Sequence, residues 1–202
     1  MRRTKEEAAV TRQTLLKQAL ATFSRKGYAA TTLEDIAQQA EVTRGAIYWH
    51  FGSKADLYNT LIDEYTGRGQ AIMQQAVAEG GTLLEILRRV FVCQLEAVEE
   101  DEELKALMDL ALFKTERVDE LEAGRQTQIQ SGIGLLDMLA KIMKDGAEQG
   151  LLRKDVDPKS LARSYLALQN GLIQLWLTAP SQFSLAEQAD TFAQVLMAGI
   201  QA

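Results

Sequence analysis

The chain has 202 residues, 47% hydrophobic and 25% charged, the balance of a folded globular protein with length for one large domain or two modest ones. Its net charge of −6 conceals an asymmetry: residues 1–55 balance to +4 and residues 56–202 to −10. A single cysteine excludes an internal disulfide, and no uninterrupted apolar run approaches the ~20 residues of a membrane span.

A reducing, cytoplasmic location follows as an expectation, since no apolar signal core succeeds Met1-Arg2-Arg3-Thr4-Lys5. A basic head on an acidic body holds nucleic acid at one end, because phosphate contacts supply most sequence-independent affinity.

Only two prolines occur and period-two β-branched alternation is absent, so the chain reads as all-α, with about nine helices. The first helix runs from about residue 6 to Lys26, with Leu15, Leu16, Ala19, Leu20 and Phe23 as its buried stripe and Gly27 as its left-handed stop. Thr32 opens the second helix and forms a capping-box pattern with Asp35. Glu41-Val42-Thr43 is a turn, and Thr43 caps a short third helix.

Ser53 and Asp56 start a long fourth helix, with a soft boundary expected over 67–81 at Gly67, Gly69, Gly80 and Gly81. Thr82 to Glu85 caps a fifth helix that ends near Glu99, and a sixth runs to about Glu116. The seventh covers roughly 119–149, with Gly150 as its stop. Asp157-Pro158 begins the eighth, Pro180 closes it, and Ser184 with Glu187 caps the ninth.

The most informative stretch is Thr32 to Lys54, two short helices about a tight turn: a helix-turn-helix. Arg44 suits a bidentate contact to guanine or a phosphate clamp. Gly45 costs about 1 kcal/mol inside a helix, and close backbone approach to DNA is a reason to tolerate it. Lys54 stands in the first turn of a helix, where a cation opposes the dipole unless a phosphate lies nearby. Thr32 and Thr43 can bond phosphate from their caps. Tyr48 and His50 suit DNA contact, Trp49 fits contact and core equally, and Ile47 and Phe51 read as core. Arg2, Arg3 and Lys5 read either as a minor-groove arm or as a solvated terminus.

Residues 8–65 resemble the N-terminal domain of the tetracycline-repressor (TetR) family of bacterial transcription regulators. The resemblance rests on Ala19 to Phe23, Gly27-Tyr28, Thr31-Thr32, Ile36-Ala37, Val42-Thr43-Arg44-Gly45, Tyr48-Trp49-His50-Phe51 and Lys54. It covers a little over a quarter of the chain. It implies a three-helix DNA-binding domain at 1–55 and a ligand-binding and dimerisation domain at 56–202. It also implies DNA contacts at Thr32, Thr43, Arg44, Gly45, Tyr48, Trp49, His50 and Lys54. A multidrug- or lipophile-sensing branch is the expectation for the effector.

The eighth helix carries one stripe of Leu161, Tyr165, Leu168, Leu172 and Leu175, and another of Leu166, Ile173 and Leu177. A helix apolar on two faces needs two partners, so Leu161, Tyr165, Leu168, Leu172 and Leu175 are expected in a two-fold dimer interface with Phe192, Leu196 and Ile200 of the ninth. Polar groups among apolar ones suggest a ligand site at Phe91, Gln94, Met108, Asp109, Leu112, Phe113, Met138, Gln169, Asn170 and Trp176, although such stripes also make plain core.

No metal or cofactor is expected. His50 is the lone histidine, the acidic run Glu99 to Glu103 points around its helix rather than converging, and Cys93 reads as a small buried hydrophobe. No paired nucleophile and base or Gly-rich phosphate loop suggests an enzyme. The expectation is a homodimeric regulator, released from a palindromic operator on double-stranded DNA by a small lipophilic effector and not membrane-bound. A helical ligand-binding or protein-interaction module without DNA affinity is the alternative.

Overall fold

A computed structural model describes residues 5–202. Among these residues the backbone forms nine α-helices. They are α1 (Lys5–Lys26), α2 (Leu33–Gln39), α3 (Arg44–Phe51), α4 (Lys54–Ala78), α5 (Leu83–Glu100), α6 (Glu102–Phe113), α7 (Glu122–Glu148), α8 (Pro158–Thr178) and α9 (Leu185–Ile200), with a single 3-10 turn at Asp119–Leu121 before α7. Arg2 and Arg3 of the expected arm lie outside the described residues, and Lys5 opens α1.

Local chemistry sets the helix starts. The Thr32 and Thr82 hydroxyls accept from the Asp35 and Glu85 amides, and each carboxylate accepts from its cap amide in return. Thr43, Asp157 and Ser184 cap α3, α8 and α9, and the Asp56 amide donates to the Ser53 hydroxyl at the start of α4. α4 is helical through Ala78, since two helical glycines cost only about 1 kcal/mol each, and the boundary expected over 67–81 coincides at its start with the division between two compact units at Gly67 and Arg68. One expectation needs correction. The sixth helix ends at Phe113 rather than near Glu116, and the chain then turns back through 114–121.

The chain divides into two compact units, residues 1–67 with 103–124, and residues 68–102 with 125–202. The first, the head, therefore includes the start of α4 and most of α6 in addition to α1–α3. Its core joins Leu15, Phe23, Ile36, Ile47, Leu57, Leu61, Leu107 and Leu110. At its centre Phe23 and Tyr28 stack at 5.5 Å, and Tyr58 meets Tyr28 edge-on at 5.1 Å.

In the second unit, the body, α9 packs along α5, and α8 contacts both. The Tyr165 hydroxyl donates to the Leu87 carbonyl at 2.8 Å while its ring meets Phe91 edge-on at 5.6 Å. Glu99 accepts from the Ser184 hydroxyl and the Ala186 amide, so a carboxylate of α5 caps α9. The Arg153 amide donates to the Ile200 carbonyl and ties the last turn of α9 to the loop after α7.

The stripe expected at a dimer interface is largely interior. Leu161, Tyr165, Leu172, Leu196 and Ile200 are buried within the chain itself, and Leu168 and Phe192 are half-buried. Of that set only Leu175 stands open, at 63% exposure, and on α9 the exposed large hydrophobic is Val195, at 65%. The burial of the others lies within the chain itself, and Tyr165 of this stripe meets Leu87 and Phe91 of α5.

Candidate nucleic-acid interface

Helices α2 and α3 meet through the turn 40–43, in which Glu41 takes a left-handed backbone (φ 54°) and the Val42 amide donates to the Ala37 carbonyl. Ile47 and Phe51 turn into the head core, and the guanidinium of Arg12 lies 5.2 Å over the Phe51 ring. Because a helix repeats every 3.6 residues, burying 47 and 51 presents 44, 45, 48 and 49 outward. Arg44 and Gly45 are exposed, Tyr48 is 44% exposed and Trp49 73%. Among the described residues Trp49 is the most exposed large hydrophobic side chain.

The outward residues are ordered. Arg44 donates through Nη2 to the Tyr48 hydroxyl at 2.7 Å, and its guanidinium stacks 5.3 Å from the Tyr48 ring centre. Trp49 rests edge-on against the half-buried His50 at 4.5 Å. A Cβ on Gly45 would meet only the Thr43 hydroxyl, at 3.8 Å. Nothing among the described residues therefore demands a glycine there, which leaves room for approach from outside.

The two caps are occupied locally. The Thr43 hydroxyl accepts from the Ala46 amide at 3.3 Å. The Thr32 hydroxyl accepts from the Asp35 amide and donates to the Asp35 carboxylate at 2.9 Å, and Lys26 donates to the same carboxylate at 2.7 Å. The Lys26 ammonium first, and then the Thr32 amide and hydroxyl, hold Asp35 down to about 2.

Lys54 is placed differently from a free surface cation. Gly52, at φ 82°, reverses the chain between α3 and α4, so Lys54 returns toward the turn between α1 and α2. Its ammonium donates to the Tyr28 and Thr31 carbonyls at 3.3 and 3.2 Å and lies 4.2 Å over the Tyr28 ring. It also pairs with Glu120 at 3.7 Å. The Tyr28 amide donates to the Lys114 carbonyl and the Ala29 amide to Glu116, which fastens residues 114–121 to the same turn. Burial, and then the neighbouring Glu120 carboxylate, push the Tyr28 phenol far above its ordinary range. These partners had no sequence signature, because they are distant in the chain and follow no motif.

The ten residues expected around a ligand are divided between the two units. Gln169, buried on α8, donates to Gln94 of α5 at 2.6 Å, and Phe91 and Trp176 are buried in the body. Met138 and Asn170 are exposed there. Met108, Asp109, Leu112 and Phe113 belong to the head unit, where Met108 is core, Asp109 pairs with Lys114 at 2.6 Å, and Leu112 and Phe113 are exposed. An open cleft of about 420 Å³ beside α9 is lined by Asp190, Thr191, Gln194 and Met197, with Ala198, Gln201 and Arg88 of α5.

Comparison with known proteins agrees with this geometry. Residues 15–61 match the pattern described as bacterial regulatory proteins, tetR family, and residues 82–201 match the C-terminal region of MAATS-type transcriptional repressors. The HTH-type transcriptional regulator AcrR of Shigella flexneri is 32% identical over 97% of this chain and 92% of its own length. The HTH-type transcriptional regulator TtgR of Pseudomonas putida is 30% identical over 92% and 89%. Among solved structures, NalD, the secondary repressor of the MexAB-OprM multidrug efflux pump in Pseudomonas aeruginosa, superposes with a TM-score of 0.87, 24% identity and 98% of both chains covered. A complex of SmeT with triclosan gives 0.81 at 25% identity, covering 96% of this chain and 92% of that one. The chain therefore belongs to the tetR family of bacterial regulatory proteins and is a DNA-binding transcriptional regulator. No helix among the described residues is long and apolar enough to cross a membrane.

Proposed function

We propose that the chain acts in the cytoplasm as a homodimeric repressor, without catalytic activity, that binds a palindromic operator through α3 and releases it when a small lipophilic molecule occupies the body. The observation that carries this reading is the outward row Arg44, Gly45, Tyr48 and Trp49, ordered by the Arg44–Tyr48 bond and left exposed among the described residues. Residues at the start of a recognition helix read base edges, and a guanidinium fork matches guanine.

One short helix buries too little surface for tight specific binding, so two copies reading half-sites about 34–36 Å apart are needed. The exposed Leu175 and Val195, on helices that already pack together, support a two-fold pairing into a four-helix arrangement. The Gln94–Gln169 pair amid apolar side chains supports a body that orients a mainly apolar molecule through few polar groups. The names of NalD and of the SmeT–triclosan complex point the same way, toward drug-like compounds. The effector acts through its differential affinity for two head spacings, which is population shift.

The test is selection of duplexes from a randomised library by the purified protein, followed by anisotropy titration with and without triclosan and related lipophiles. Enrichment of a palindrome, bound by a dimer and released by at least one compound, is the expected result. Absence of any enriched sequence overturns the reading.

A further inference from the structure

We infer that Glu120 governs how much of the Lys54 charge is available to DNA, acting as a positioning residue for the phosphate contact at the start of α4; this rests on the DNA-binding reading above. An ammonium carries three N–H donors. Two of those on Lys54 are directed at the Tyr28 and Thr31 carbonyls, at 3.3 and 3.2 Å. The third partner is the Glu120 carboxylate at 3.7 Å, and the Tyr28 ring closes a further direction at 4.2 Å. The lysine side chain is 19% exposed and that of Glu120 51%. A phosphate oxygen that reaches Lys54 thus competes for a position already held by another anionic oxygen.

The exchange has a defined geometry. The two backbone carbonyls fix the ammonium, while the longer, more exposed carboxylate contact is the one that yields. Glu116 and the Lys114 carbonyl hold the segment on the Ala29 and Tyr28 amides, so Glu120 returns to the same place when DNA leaves. The 114–121 segment then works as an internal competitor whose strength depends on one charge.

Full-length wild type, Glu120→Gln, Lys54→Met and the double variant test this. Each is titrated by fluorescence anisotropy against one duplex selected by the wild type, across a salt series. Glu120→Gln should bind about two- to fivefold tighter near 0.1 M salt. Its log–log salt dependence should be steeper by up to about 0.9, the slope of one neutralised phosphate, because the variant gives to a DNA phosphate the Lys54 charge that Glu120 partly withholds in the wild type. Both gains should vanish in the Lys54→Met background. A merely structural role predicts the opposite sign, weaker binding with a lower unfolding temperature. Equal affinity and slope for Glu120→Gln and wild type, or a gain that persists with Lys54→Met, overturns the inference alone. A wild type that selects no duplex overturns the DNA-binding reading itself.

Discussion

The Arg44 guanidinium lies 2.7 Å from the Tyr48 hydroxyl, one turn along the same face of α3. Arginine has five donors in a planar fork, so Tyr48 consumes one and holds the rest in a fixed orientation. Tyr48→Phe keeps the ring under the cation and removes only the acceptor. Specific affinity should fall roughly two- to tenfold, with little change on non-specific DNA. A competition titration against both duplexes measures this, and an equal loss on both would assign Tyr48 to phosphate alone.

Asp35 supplies a pH signature. Its folded value is depressed from 3.8 to about 2, so its contribution to stability is present above about pH 4 and is lost as pH falls through about 2. Thermal unfolding of the wild type should lose more between pH 4 and pH 2 than that of Asp35→Asn. Carboxyl NMR titration of Asp35 with a midpoint near 3.8 would contradict the capping and Lys26 contacts as described.

Two glycines of α7 should respond with opposite signs. A Cβ on the buried Gly146 would lie 2.5 Å from Leu83 Cδ2 and 2.8 Å from Cδ1 of the fully buried Leu152, so Gly146→Ala should destabilise the body by about 1–3 kcal/mol. Gly132 has nothing within 4 Å, and Gly132→Ala should stabilise by roughly 0.5–1 kcal/mol. Urea unfolding of the two variants checks both.

Pairing of α8 and α9 predicts that Leu175→Glu or Val195→Glu yields a folded monomer in sedimentation, with operator affinity lost. Leu172→Glu, inside the chain's own core, should instead lower the unfolding temperature sharply. A Val195→Glu chain that remains dimeric would move the interface elsewhere.

Caps were the most legible part of this molecule, because Thr32–Asp35, Thr82–Glu85 and Ser184–Glu187 need only residues three apart. The inward and outward faces of α3 followed for the same reason, since Ile47 and Phe51 repeat at helical spacing. Faces of α8 did not. Leu175 shares a sequence stripe with Leu161, Tyr165 and Leu172, yet it alone stands open while those three are buried within the chain, and apolar spacing by itself carries no signal that separates them. The surroundings of Lys54 were illegible too, since Tyr28, Thr31 and Glu120 reach it only through the tertiary fold. Gly67 and Gly69 stay helical because their small cost is overridden by their neighbours, and the boundary they marked falls where the two compact units divide, at 67 and 68.

The most direct test of the account is the affinity of Arg44→Ala against wild type for one selected palindromic duplex, at fixed salt and by anisotropy. Loss of a bidentate base contact predicts weakening by about 1–3 kcal/mol per contacted base, roughly five- to 150-fold. An affinity within about twofold of wild type would contradict the assignment of α3 as the reading helix.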